Sequence, residues 1–99
     1  VRRVRLSDVA EATAWHFGTE LGGKCRRPTN TVVQARRCAY AACRELGFTW
    51  SAIAHHFERD HTTVMAALNN GHPADPNDVA AVLANAKARA LADSYEKAL

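Results

Sequence analysis

The run Asp60-His61-Thr62-Thr63 concentrates the chemistry of this sequence. An aspartate just before a stretch with helical apolar spacing is a good N-cap, because its carboxylate can accept from the amides of Thr62 or Thr63. Three short polar side chains then stand on the first helical turn. Threonine carries a methyl and a hydroxyl, and histidine can donate or accept. Side chains of that length, at the start of a helix that enters a groove, can hydrogen-bond base edges and pack against a thymine methyl. The free amides of the helix start favour a phosphate oxygen. An exposed helix start with no ligand uses the same residue types, so the run alone does not decide.

The cations give the second clue. Residues 1–72 hold ten Lys/Arg against six Asp/Glu, whereas residues 73–99 hold three against four. The excess therefore lies with the Asp60–Thr63 run. It falls into two clusters, Arg2, Arg3 and Arg5, then Lys24, Arg26, Arg27, Arg36 and Arg37. Clustered cations suit a polyanionic partner, although a solvated basic face has the same look.

Other chemistries have less to build on. Gly18-Thr-Glu-Leu-Gly-Gly23-Lys24-Cys25 approaches a phosphate-binding loop. It has Cys25 where the magnesium-ligating hydroxyl belongs, and a helical rather than a strand pattern precedes it. Cys38 and Cys43 are five residues apart on a helix, which turns them off a common face, and His55 and His56 are adjacent. Neither pair has metal-ligand spacing, so no metal and no cofactor is expected. No Ser/Cys–His motif suggests an enzyme. Three cysteines without regular spacing do not form a disulfide framework; free thiols point to a reducing cytoplasm. No stretch has the length of a membrane span, and no apolar h-region follows the basic N-terminus. The chain starts at Val1 without a Met, as a fragment or trimmed piece would.

The elements that must position the run read as helices. Apolar residues make up 47% but aromatics only 7%, so one small core rests on Ala, Val, Leu and Ile. Residues 8–17 read as an amphipathic helix, capped by Ser7 or by Asp8 with Glu11 and stopped by Gly18. A loop over 18–30 leads to Thr31 and Gln34, which have capping-box spacing for a helix from about Val32 to Leu46, stopped by Gly47. Thr49 caps residues 50–57, and Asp60 caps a helix from 61 to about 69. Only Glu58 and Arg59 lie between these two, which is the helix-turn-helix pattern. Asn69 to Pro73 breaks the chain. A last helix over 78–98, capped by Asn77, carries a thin stripe of Val79, Val82, Leu83, Ala86 and Ala90. That stripe suits either packing on the domain or a partner interface.

Residues 24–68 resemble the C-terminal DNA-binding domain of the bacterial replication initiator DnaA. Arg59-Asp60-His61-Thr62-Thr63-Val64 matches that family's signature, after a basic loop, a helix ending Arg44-Glu45-Leu46, and Ile53-Ala-His-His-Phe57. Residues 6–23 match more loosely. The resemblance implies a small all-α domain with a helix-turn-helix (DnaA C-terminal, TrpR-like) that binds double-stranded DNA. It makes Asp60, His61, Thr62 and Thr63 the major-groove readers, with Arg59 near the backbone. Lys24, Arg26 and Arg27 become the basic loop at the minor groove, and Arg36 and Arg37 meet phosphate or base. Members often have two glycines where Glu58 stands alone, so the turn is one residue shorter and negatively charged. An arginine that some members insert into the minor groove aligns with Gln34; its role passes to Arg26 or Arg27, or is absent.

The expected organisation is a DNA-binding unit over 1–72 and a C-terminal helix over 73–99 that packs or oligomerises. The expected partner is duplex DNA, with no membrane and with a homodimer through residues 78–98 left open. The expected location is the cytoplasm, at the nucleoid. Replication initiation, a stand-alone transcription regulator, and a protein-interaction module with a vestigial helix-turn-helix are the competing functions.

Overall fold

A computed structural model describes residues 3–18, 30–69 and 74–98. They form five helices and, among the described residues, no strand: α1 (Leu6–Phe17), α2 (Asn30–Glu45), α3 (Trp50–His56), α4 (His61–Asn69) and α5 (Pro76–Ala98). The fold is the small all-α helix-turn-helix class.

Helix α1 packs against α5 and α2, and α5 also lies on α2. The cross-links from α1 to α5 run in opposite order: His16 Nε2 lies 2.9 Å from Asp78 Oδ1, and Arg89 Nη1 lies 3.5 Å from Glu11 Oε2. The two helices are therefore antiparallel. Small side chains let the three helices approach closely. Val9, Ala12, Ala35, Cys38, Ala39, Ala42, Cys43, Val82 and Ala86 are all buried in one core, joined by Ile53 and Val64 from the short helices. The buried Val and Ile side chains each contribute roughly 1.5–3 kcal/mol by leaving water, the alanines less. Thr13 is buried too, and its hydroxyl donates to the Val9 carbonyl at 2.7 Å, so no polar group is left unsatisfied there. The last helix turns its Val79, Val82, Ala86 and Ala90 stripe inward.

Three helix starts differ from the sequence expectation. Helix α1 begins at Leu6 with Arg5 as its N-cap. Asp8 is inside the first turn, and its carboxylate reaches back to accept from the Arg5 amide at 2.8 Å. The capping-box spacing belongs three residues upstream, to Arg5 with Asp8 rather than Asp8 with Glu11. Helix α2 begins at Asn30, so Thr31 lies inside the helix and is not its cap. Helix α5 begins at Pro76, not 78. Asp75 precedes it and accepts from the Asn77 amide at 2.8 Å, and the proline takes the first helical position, where a missing N–H costs nothing.

Candidate nucleic-acid interface

Helix α4 is held by two connections that share one backbone design. Helix α2 ends with Gly47 at φ 90°, the Gly47 amide bonding to the Arg44 carbonyl and Phe48 to Cys43, at 3.0 and 3.1 Å. Helix α3 ends with Glu58 at φ 54°, the Glu58 amide bonding to His55 and Arg59 to Ala54, at 3.3 and 2.9 Å. Both are Schellman closures with a left-handed residue at C′. In each, the second residue after the left-handed one caps the next helix. Thr49 Oγ1 accepts from the Ala52 amide at 3.1 Å, and Asp60 Oδ1 accepts from the Thr62 amide at 3.3 Å. The described turn is wider than the sequence suggested, because α3 stops at His56 and Phe57 serves as its C-cap.

This turn sends the start of α4 into solvent. Asp60, His61, Thr62 and Thr63 are all exposed, whereas Val64, the next residue, is fully buried. Burial of Val64 fixes the rotation of α4, so the four polar residues stand on its outer end. His61 Nδ1 lies 3.2 Å from Asp60 Oδ1.

Beside that end, α2 and α4 form a shallow groove of about 140 Å³, lined by Val33, Arg36, Arg37, Tyr40, Arg59, Thr63 and Ala67. Residues far apart in sequence meet here: two arginines from α2, one from the turn, and one threonine from α4. The Arg37 Nε is buried and has no hydrogen-bond partner among the described residues. Gln34 is exposed on α2 but does not line the groove. Lys24, Arg26 and Arg27 lie outside the described residues, as do Cys25 and most of the glycine-rich segment. The residue that sequence reasoning missed is Tyr40. It is 3% exposed, its ring meets Phe57 edge-on at 5.4 Å, and its phenol lies in the same groove as Arg59, within that guanidinium's hydrogen-bonding reach. Its one sequence signal is its place four residues after Arg36, on the same face of α2.

The remaining reactive groups are quiet. Burial, aided by Asp78 and Asp75, pushes the Cys38 thiol up to about 12, and burial alone does the same to Cys43. Thiols this hard to ionise are poor nucleophiles and poor metal ligands at neutral pH. Among the described residues no group of three His, Cys, Asp or Glu could hold a metal ion, and no helix is long and apolar enough to cross a membrane.

Two short helices joined by a tight turn, with a polar exposed start to the second and cations beside it, define a helix-turn-helix protein of the nucleic-acid-binding kind. The family described as the bacterial dnaA protein helix-turn-helix matches residues 6–70, and the chain belongs to that family. No curated protein and no solved structure matches it. Membership carries DNA binding as the coarse function of this chain.

Proposed function

We propose that the chain is a non-catalytic, sequence-specific binder of double-stranded DNA. Asp60, His61, Thr62 and Thr63 read base edges in the major groove. Arg36, Arg37 and Arg59 neutralise the backbone beside them, while Lys24, Arg26 and Arg27 follow the adjacent groove. The observation that carries this reading is the convergence of Arg36, Arg37, Arg59 and Thr63 on one groove next to the exposed start of α4. Hydroxyl and imidazole groups supply readout; guanidinium groups supply affinity that weakens as salt rises. A role at a replication origin follows from the kind of family, and regulation of transcription would use the same surface. Duplex binding measured against salt tests the reading. Replacing Arg36 and Arg37 by Ala is expected to weaken binding to every duplex and flatten the salt slope by up to about two units. An unchanged slope would place these arginines away from DNA.

For residues 73–99 we propose a packing role rather than an oligomerisation role, supported by the burial of Val79, Val82, Ala86 and Ala90. Truncation after Gly71 is then expected to abolish cooperative unfolding. A truncated chain that melts cooperatively and still binds duplex would instead make α5 an accessory helix, free to serve a homodimer.

A further inference from the structure

The two Schellman turns differ at the residue that follows the left-handed position. That residue commonly makes an apolar contact back to its helix. After Gly47 it is Phe48, half-buried against the core. After Glu58 it is Arg59, whose charged head cannot supply that contact. The turn around Glu58 also holds a non-glycine residue at positive φ, a conformation that costs an L-residue about 1–2 kcal/mol and persists only when its surroundings enforce it.

Tyr40 adds a restraint from α2. Its ring meets Phe57, on one side of Glu58, and its phenol shares the α2–α4 groove with Arg59, on the other, within hydrogen-bonding reach. One buried side chain therefore grips the turn on both flanks of the strained residue. In such a bond the Arg59 guanidinium donates and the phenolic oxygen accepts. Burial pushes the pKa of the phenol up, while Arg36 and Arg59 pull it down, so two guanidinium groups lie within electrostatic reach of one hydroxyl.

We propose that Tyr40 is a positioning residue for DNA binding: it holds Arg59 in the α2–α4 groove beside Arg36 and Thr63, ready to meet a backbone phosphate. The inference rests on the DNA-binding reading and adds a nearly buried residue of that groove, acting through Arg59. A long arginine loses rotamer freedom when it binds, and a side chain already held loses less.

The test compares wild-type, Tyr40→Phe, Arg59→Ala and the double variant on one duplex over a range of salt. Tyr40→Phe keeps the ring and its contact with Phe57, so circular dichroism should show a folded domain. Its affinity should fall about three- to tenfold, the net worth of one ordinary hydrogen bond, with an unaltered salt slope. Arg59→Ala should lower the slope by about one unit, because a charge is lost. In the Arg59→Ala background, Tyr40→Phe should have little further effect. Full additivity of the two losses, or wild-type affinity for Tyr40→Phe, would overturn the proposal. Failure of the wild-type protein to bind any duplex would overturn the DNA-binding reading instead. A measurement on the unmodified protein covers the case in which the variant does not fold. The Arg59 Nε–H group should show a heteronuclear NOE close to that of the backbone; the value of a freely rotating side chain would contradict the positioning role.

Discussion

The connections before and after α3 are two copies of one turn, built from different residues. Gly47-Phe48-Thr49 and Glu58-Arg59-Asp60 each place a left-handed residue, a follower and an N-cap in the same order. In the first, each position has the residue its geometry favours. Glycine takes the positive φ, phenylalanine packs, and threonine caps. In the second, two of three positions have a residue that the backbone alone would not select. Glutamate is strained, and arginine is polar where an apolar contact is usual. The first turn lies between two packed helices; the second is the turn of the helix-turn-helix. Departures from locally favoured chemistry gather at the turn that the proposed reading places against DNA, with α2 supplying the restraint through Tyr40.

Three experiments sharpen or break that contrast. The largest effect is expected from alkaline pH, which acts on α2 and thus on both turns. Each buried thiol ionises near its ordinary value of 9.0 when unfolded and only at about 12 when folded. Below pH 9 both states keep the proton and burial of the thiols contributes in full. Between pH 9 and 12 the unfolded chain loses protons first, so stability falls as pH rises. The melting temperature of the wild type should drop through this window, and the drop should be smaller in a Cys38→Ala, Cys43→Ala variant. Parallel curves for the two proteins would show that the thiols are not responsible.

Substitution at the glycine comes next. A Cβ at Gly47 meets nothing within 4 Å, so the effect of Gly47→Ala is purely one of backbone strain. It should destabilise by about 1–2 kcal/mol, with a melting temperature lower by roughly 4–8 °C per kcal/mol. The smallest change is expected from Glu58→Gly. It relieves the strained residue but adds freedom to the unfolded chain, leaving a gain of less than about 1 kcal/mol. It also removes a carboxylate from the turn proposed to face DNA, so duplex affinity should rise most at low salt. A lower melting temperature for Glu58→Gly would mean that the glutamate side chain makes a stabilising contact, and the contrast between the turns would fail.

The sequence made the local parts of this molecule readable. Thr49 and Asp60 could be recognised as caps because a cap acts within two or three residues, and Gly18 and Gly47 as stops for the same reason. The start of α1 is not legible in the sequence because Asp8 fits two positions of a capping box, and only the bond to the Arg5 amide chooses between them. The start of α5 was set two residues late because Asn77 and Asp75 are both good caps, and the intervening Pro76 decides for Asp75. The polar run on α4 was visible because its residues are contiguous. The groove was not, since it needs α2 and α4 side by side. Arg36 and Arg37 read as cations on a helix face, with nothing local to say which of them turns toward Thr63. Tyr40 was invisible as a functional residue, because a buried phenol reads as core until its partner across the turn is known.

Selection of bound duplexes from a random pool at about 0.15 M salt, with wild type and Thr63→Ala side by side, tests the central claim most directly. The expected result is one enriched site for the wild type and relaxed choice at a single base pair for Thr63→Ala, with about 1–3 kcal/mol less discrimination there. No enrichment by the wild-type protein would contradict sequence-specific recognition by the Asp60–Thr63 turn.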